Sequence, residues 1–136
     1  MSEPAAVESK SVSKARILVV DDDPIVQDFL TAALTEEWHN VETVDNGNDA
    51  LKRLGDEEYD VILLDVKLPG MSGIEIYKQL EKKDKAAIKR IIFITGDVMS
   101  AGTMDFIRST RTPYIAKPFD ATRLVEEIGR IISQKS

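Results

Sequence analysis

Acidic side chains follow two apolar segments of the sequence at the point where each segment ends. Asp21 and Asp22 come directly after residues 17–20, and Asp65 comes directly after residues 61–64. Short apolar runs of this kind are typical of parallel strands buried on both faces, and parallel strands end along one edge of the sheet. Carboxylates that meet there repel one another unless a cation or a raised pKa relieves them. Oxygen ligands without sulfur or imidazole favour a hard cation such as Mg²⁺.

Two further polar residues end apolar runs in the same way. Thr95 closes the run 90–95, and Lys117 follows the short run 114–116. Both suit a phosphoryl group carried by Asp65, because a carboxylate can accept phosphate covalently. The Lys117 ammonium would pair with the phosphoryl oxygens, and the Thr95 hydroxyl would donate one hydrogen bond to them. The predicted metal ligands are Asp22, Asp65, the backbone carbonyl of Lys67 and, through water, Asp21.

The elements that must position these residues alternate between strand and helix. The apolar runs predict five strands, and helical spacing of apolar residues follows each of them. Asp23 is the predicted N-cap of the first helix and Asp120 that of the last, and Ser72 with Glu75 has the spacing of a capping box. Alternation of this kind predicts an α/β fold, with a doubly wound five-stranded parallel sheet and helices on both faces.

Composition narrows the class of protein. The chain has 136 residues, of which 43% are hydrophobic, and this suits one domain at 15–136 behind a disordered tail at 1–14. A net charge of −6 argues against direct nucleic-acid binding. The absence of cysteine and the single histidine, His39, exclude disulfides and multi-histidine metal sites. No signal peptide and no apolar run of roughly 20 residues is present, which predicts a cytoplasmic protein without a membrane partner.

Five segments in this order and spacing resemble the receiver domains of response regulators, in particular single-domain receivers of the chemotaxis-regulator kind. The resemblance covers about residues 15–134. The segments are Ile17-Leu18-Val19-Val20-Asp21-Asp22-Asp23-Pro24, Asp60-Val61-Ile62-Leu63-Leu64-Asp65, Leu68-Pro69-Gly70-Met71-Ser72-Gly73, Thr95-Gly96 and Lys117-Pro118-Phe119.

The resemblance implies a flavodoxin-like (βα)5 fold with strand order 2-1-3-4-5, and a cis peptide bond between Lys117 and Pro118. It implies that Asp65 accepts a phosphoryl group, with Mg²⁺, from a phosphohistidine on a sensor histidine kinase or histidine phosphotransfer protein. The chain would then not be an enzyme beyond its self-catalysed phosphoryl acceptance and slow autodephosphorylation.

The resemblance also implies a route for the signal. Thr95 would move toward the phosphoryl group and Tyr114 would turn inward behind it, changing the face formed by helix 4, strand 5 and helix 5. That face would bind an unknown downstream protein. The chain would be a monomer, or a weak dimer that forms through the same face. Alternatively, the domain would pass its phosphoryl group onward as a shuttle. Arg111-Thr112-Pro113 departs from the Gly-Ala pair usual in the family and resembles receivers of hybrid kinases.

Lys67 and Asp97 each lie two residues beyond a motif residue, and we expect them to pair across the site and obstruct the hydrolytic water. Two other classes of protein compete with a receiver. A phosphatase would use Asp21 and Asp23 as an Asp-x-Asp pair, but this would leave Asp65 unexplained. A flavin-binding module of the same topology would need a phosphate loop rich in Ser, Thr and Gly after the first strand, where the chain has aspartates. His39 is expected in a surface loop.

Overall fold

A computed structural model describes residues 15–37, 39–96, 100–118 and 120–135. Its five strands form one parallel sheet in the order β2-β1-β3-β4-β5. This confirms the predicted doubly wound α/β fold and its strand order. The predicted disordered tail, 1–14, lies outside the described residues. The strands are β1 Arg16–Val20, β2 Asn40–Val44, β3 Val61–Asp65, β4 Ile91–Thr95 and β5 Tyr114–Ala116.

A helix follows each strand, and the predicted N-caps are confirmed. Asp23 accepts a hydrogen bond from the N–H of Ile25 at 2.9 Å, and Asp120 accepts one from the N–H of Arg123 at 2.8 Å. Ser72 and Glu75 form the capping box. None of the helices in the described ranges is long and apolar enough to cross a membrane. The helices are α1 Pro24–Thr35, α2 Gly47–Asp56, α3 Gly73–Lys83, α4 Ala101–Thr110 and α5 Ala121–Lys135.

A single helical turn, Lys85–Ile88, lies between α3 and β4 and was not predicted. Asp84 ends α3 and also caps this turn, since its side chain accepts a hydrogen bond from the N–H of Ala87 at 3.2 Å. One residue therefore both stops a helix and starts a turn, and apolar periodicity carries no signal for that.

The core has two layers because successive side chains of a strand point to opposite faces. On one face, Leu18, Ile62 and Phe93 pack with α2, α3 and α4. On the other face, Val19 and Leu63 pack with α1 and α5. Every residue of β3 and β4 is buried, and so are four of the five residues of β1. Packing on both faces therefore fixes the ends of these three central strands at the edge where the acidic residues lie.

The position of His39 corrects the sequence-based expectation of a surface loop. Its side chain is only 8% exposed, and its Nδ1 accepts a hydrogen bond from the N–H of Ala15 at 3.2 Å. Burial lowers the pKa of the imidazole, against the opposing charges of Glu37 and Asp60. A neutral acceptor is needed here because Ala15, which directly precedes β1, is buried, and its N–H would otherwise lack a partner.

Candidate phosphoryl-acceptor site

Asp21, Asp22 and Asp65 converge at the carboxyl edge of the sheet. β1 and β3 are neighbours, with Val20 in register with Leu64, so the residues that follow them emerge side by side. One carboxylate oxygen from each of the three residues lies within 4.8 Å of the others. Asp21 is completely buried and Asp65 is 4% exposed, whereas Asp22 is open to solvent. The structure therefore brings together the three acids that the strand ends indicated.

Lys117 supplies a cation to this cluster. Its Nζ lies 3.0 Å from Asp21 Oδ2 and 3.1 Å from Asp65 Oδ2. Its backbone N–H donates to the carbonyl of Thr95 at 2.8 Å, which ties the end of β5 to the end of β4. The Lys117–Pro118 peptide bond is cis, as the resemblance implied.

The site carries more negative than positive charge. Burial, followed by the charge of Asp21, raises the pKa of the Asp65 carboxyl to about 6, although Lys117 and the Lys67 N–H act in the opposite direction. Burial alone would lower the pKa of Lys117, but its contact with Asp21 and the charges of both acids outweigh burial and raise it. One ammonium thus faces two buried carboxylates with a third at the rim, and a further cation would relieve the excess.

The donor atoms fit a hard divalent cation. Asp21 Oδ2 is buried and accepts no hydrogen bond from the described residues, despite its ion pair with Lys117. Buried polar atoms without such a partner are rare in folded proteins. Asp22 and Asp65 open into a cleft of about 660 Å³, which Lys67 and Lys117 also line. An all-oxygen set of this kind is what Mg²⁺ prefers.

Lys67 lies at the surface of the site, whereas Thr95 is buried. Lys67 is exposed at the rim of the cleft, and its backbone N–H donates to Asp65 Oδ1 at 3.2 Å. Thr95 is 1% exposed at the end of β4, in register with Ala116. Asp97, the predicted partner of Lys67 in a gate, lies outside the described residues.

Tyr114 is connected to the site through the sheet. It begins β5 three residues before Lys117 and is in register with Phe93 of β4. The ring is half-buried and packs against the core layer that includes Phe93 and Met104. Tyr114 therefore shares a core layer with Met104 and Phe106 of α4.

Two contacts near the acids were not predicted from the sequence. The Gln27 side-chain amide on α1 donates to the backbone carbonyl of Asp21 at 2.6 Å, which holds the loop that carries Asp21 and Asp22. Gly73, the first residue of α3, backs onto the peptide of Asp65, and its N–H donates to the Val66 carbonyl at 2.8 Å. The only sequence signal for the Gln27 contact was one amide side chain near the start of a helix rich in apolar residues.

An exposed apolar patch adjoins the acids and was also missed. Ile25 is 78% exposed and Phe29 is 44% exposed, although both recur at helical spacing with the buried Leu30 and Leu34 of α1. With Val26, Lys117 and Pro118 they line a shallow depression of about 420 Å³. Exposed apolar patches beside a functional cleft are typical of protein-binding surfaces.

Comparison with known proteins places this fold and site in one class. The sequence profile of the response regulator receiver domain matches residues 17–129. The chain belongs to that family, the receivers of two-component systems, whose general function is to accept a phosphoryl group rather than to turn over a separate substrate.

The relatives include both short and long proteins. The chain is 31% identical over 119 residues to the protein PilH of Pseudomonas aeruginosa, covering 88% of this chain and 98% of PilH. It is 32% identical over 124 residues to the transcriptional regulatory protein TcrA of Mycobacterium tuberculosis, covering 91% of this chain but only 48% of TcrA. The chain thus spans nearly all of one relative and about half of the other.

Solved structures share the fold. The receiver domain of the sensor histidine kinase PA1611 of Pseudomonas aeruginosa, solved with a magnesium ion coordinated in its active site cleft, superposes with a TM-score of 0.80 at 26% identity, over 88% of this chain and 98% of that one. The response regulator TrrA of Thermotoga maritima, in complex with Mg²⁺-BeF, gives a TM-score of 0.74 at 34% identity, over 85% and 97% of the two chains.

Proposed function

We propose that Asp65 accepts a phosphoryl group from a phosphohistidine of a sensor histidine kinase or histidine phosphotransfer protein, in a Mg²⁺-dependent reaction, and that residues 15–136 form the receiver domain. The observation that carries this proposal is the pair of buried carboxylates, Asp21 and Asp65, each about 3 Å from the Lys117 ammonium. Asp65 and Lys117 also line an acidic cleft.

The transfer makes one bond and breaks one. A carboxylate oxygen of Asp65 attacks the phosphorus atom, the P–N bond to the donor imidazole breaks, and its electron pair stays on the imidazole nitrogen. The product is a mixed anhydride, and its phosphoryl oxygens carry the negative charge that the groups around Asp65 must neutralise. Lys117 supplies one positive charge, and the Thr95 hydroxyl donates a hydrogen bond to one phosphoryl oxygen.

The metal would be held by the acids of the cleft. Asp22 and Asp65 are the direct carboxylate ligands, the Lys67 carbonyl is a neutral ligand, and Asp21 acts through water. Bound Mg²⁺ would neutralise charge on the phosphoryl group. The solved receivers of PA1611 and TrrA, which contain magnesium, support this assignment, as does the excess of negative charge at the site of this chain.

The apolar patch of Ile25 and Phe29 is the surface on which we place the phosphodonor. It adjoins Lys117 and Pro118, so a helix of a donor protein that packs on α1 would bring its histidine over the cleft. An amphipathic helix binds such a surface through a few apolar anchor residues.

Phosphorylation would be transmitted through Thr95 and Tyr114 to the face formed by α4, β5 and α5. A few kcal/mol of bias are enough to shift such a two-state surface. That face would bind a downstream protein, and the domain would be a monomer or a weak dimer through it. Alternatively, the same aspartyl phosphate donates onward to a second histidine, as a shuttle. The shared fold with the receiver domain of a sensor histidine kinase motivates this alternative.

The lifetime of the phosphoryl group would depend on the rim of the cleft. Lys67 lines the entrance through which water must reach the aspartyl phosphate. We propose that Lys67 and Asp97 pair there and slow autodephosphorylation. Faster decay in Lys67→Ala than in the wild type supports the gate, and an unchanged decay rate refutes it.

The central experiment is phosphorylation by a small acyl phosphate with Mg²⁺, followed by intact-mass measurement. The wild type should gain the mass of one phosphoryl group, and Asp65→Asn should not. Asp56→Asn is the matched control, because Asp56 is an exposed aspartate at the end of α2 and should not affect the reaction. Equal phosphorylation of Asp65→Asn and the wild type would refute the assignment.

A further inference from the structure

A second cleft lies at the opposite edge of the sheet from Asp65, beside the starts of β4 and β5. Its volume is about 400 Å³, and a narrower cleft of about 230 Å³ continues it past Lys89 and Ile131. The larger volume falls in the range typical of sites for small organic ligands, about 300–1,000 Å³. Its lining combines the apolar Ile88, Pro113 and Ile131 with the cationic Lys89, Arg111 and Arg130.

The charge of this cleft is opposite to that of the whole chain, which is −6. Glu127 is the acid in its lining, and its carboxylate lies 2.8 Å from Arg130 Nη1. Neither Lys89 nor Arg111 has an ion-pair partner among the residues that the structure describes. An anion that enters the cleft therefore meets two cations whose charge is not already neutralised.

Arg111 occupies a backbone conformation that favours glycine. Its φ of 60° and ψ of 26° are left-handed, and it is the one non-glycine residue with positive φ in the described ranges. It ends α4, a position where glycine adopts this conformation without steric cost. Strained residues of this kind cluster at functional sites. The strain is explained if the guanidinium is needed in the cleft.

The two threonine hydroxyls of the lining already use their protons within the protein. Thr110 Oγ1 donates to the carbonyl of Ile107 at 2.9 Å, so the 2.8 Å hydrogen bond between Thr110 and Thr112 uses the proton of Thr112. Neutralising the charge of an anion falls to the cations, and the apolar residues can cover an apolar body. We propose that this cleft binds a small organic anion, with a phosphate or carboxylate group attached to an apolar body, independently of Asp65.

The test is an amide chemical-shift titration of the full chain without divalent cations, so that the acids around Asp65 repel the probes. Phenyl phosphate and benzoate are the probes, because they distinguish phosphate from carboxylate on the same ring, and inorganic phosphate tests the need for the ring. At least one ring-bearing probe should give saturable shifts at Lys89, Arg111 and Thr112 at millimolar concentration. No saturable shift there would overturn the proposal.

Arg111→Gly is the decisive variant, because glycine suits the left-handed position and the fold should be retained. It should weaken binding at least about fivefold, as expected for loss of a charge-assisted contact. Arg108→Ala removes an equal charge from an exposed position of α4 outside the cleft and should leave binding within about twofold. Equal losses in both variants, undiminished binding in Arg111→Gly, or inorganic phosphate binding as tightly as phenyl phosphate would overturn the proposed site.

Discussion

Gly73 packs directly on the peptide of Asp65. A Cβ at position 73 would lie 2.3 Å from the Asp65 carbonyl oxygen, closer than real Cβ atoms approach backbone, and 3.0 Å from the Cα of Val66, which is an unusually tight contact. The first turn of α3 therefore supports the acceptor residue from behind, and only a residue without a side chain allows that approach.

Replacing Gly73 with alanine should displace the Asp65 peptide. We expect the free energy of unfolding to fall by about 1–3 kcal/mol, as for other overpacked sites, and phosphorylation by an acyl phosphate to slow. Denaturant unfolding and intact-mass kinetics measure the two effects. Gly129→Ala is the control with the opposite sign: nothing lies within 4 Å of a Cβ there, and alanine inside α5 should stabilise the chain by about 1 kcal/mol. A Gly73→Ala chain as stable as the wild type would contradict the close contact.

The raised pKa of Asp65 predicts that the carboxylate costs stability when no metal is bound. Its pKa rises from 3.8 to about 6 in the folded chain, so Asp65→Asn should be more stable than the wild type at neutral pH, by up to about 3 kcal/mol. Mg²⁺ should reduce that difference, because it stabilises the wild type in preference to the variant. Thermal unfolding with and without Mg²⁺ measures both effects, with Asp56→Asn as control.

The pH dependence has a defined sign. Between about pH 4 and pH 6 the folded chain keeps a proton on Asp65 that the unfolded chain has lost, so the stability of the wild type falls as the pH rises through this window. The advantage of Asp65→Asn should therefore be absent below about pH 4 and complete above about pH 7. An advantage that does not change with pH would mean that the Asp65 carboxyl is not perturbed.

Much of the site was predictable because the topology places it. In a parallel sheet every strand ends on the same edge, so acids after β1 and β3 and a lysine after β5 had to meet there, and Asp21, Asp65 and Lys117 do. The contact of Gly73 with Asp65 was not predictable, since it depends on where a helix begins relative to a strand that ended eight residues earlier.

Helical periodicity also does not predict which apolar residues of one helix face are buried by the rest of the protein. Leu30 and Leu34 of α1 are completely buried, whereas Ile25 and Phe29 of the same helix remain open beside the cleft. His39 was misplaced because the backbone donor that its buried imidazole accepts from, Ala15, lies 24 residues away in the sequence.

Ile25 should matter for transfer from a protein donor and not for transfer from a small molecule. Because its side chain is 78% exposed, Ile25→Ala should leave stability within about 0.5 kcal/mol of the wild type. Transfer from a phosphorylated histidine phosphotransfer domain should slow about tenfold or more, as expected for an apolar anchor at an interface. Acyl phosphate should phosphorylate the variant at the wild-type rate. Thr35→Ala, at the exposed far end of α1, controls for changes in the helix, and equal slowing with both kinds of donor would contradict a docking role.

The transmission route predicts a separable effect of the Thr95 hydroxyl. Beryllofluoride with Mg²⁺ mimics the phosphoryl group and should shift wild-type amides both beside Asp65 and on α4, β5 and α5. Thr95→Val keeps the shape but loses the hydrogen bond to the phosphoryl group, which is worth about 1.5–3 kcal/mol and so changes the switch equilibrium about tenfold or more. Shifts at Val66 and Lys67 should persist, and shifts at Phe106 and Tyr114 should largely disappear. Thr43→Val, on the edge strand β2 away from β5, should behave as the wild type. If Thr95→Val retained the full response of α4 and β5, the signal would leave the site by a route that does not use the hydroxyl.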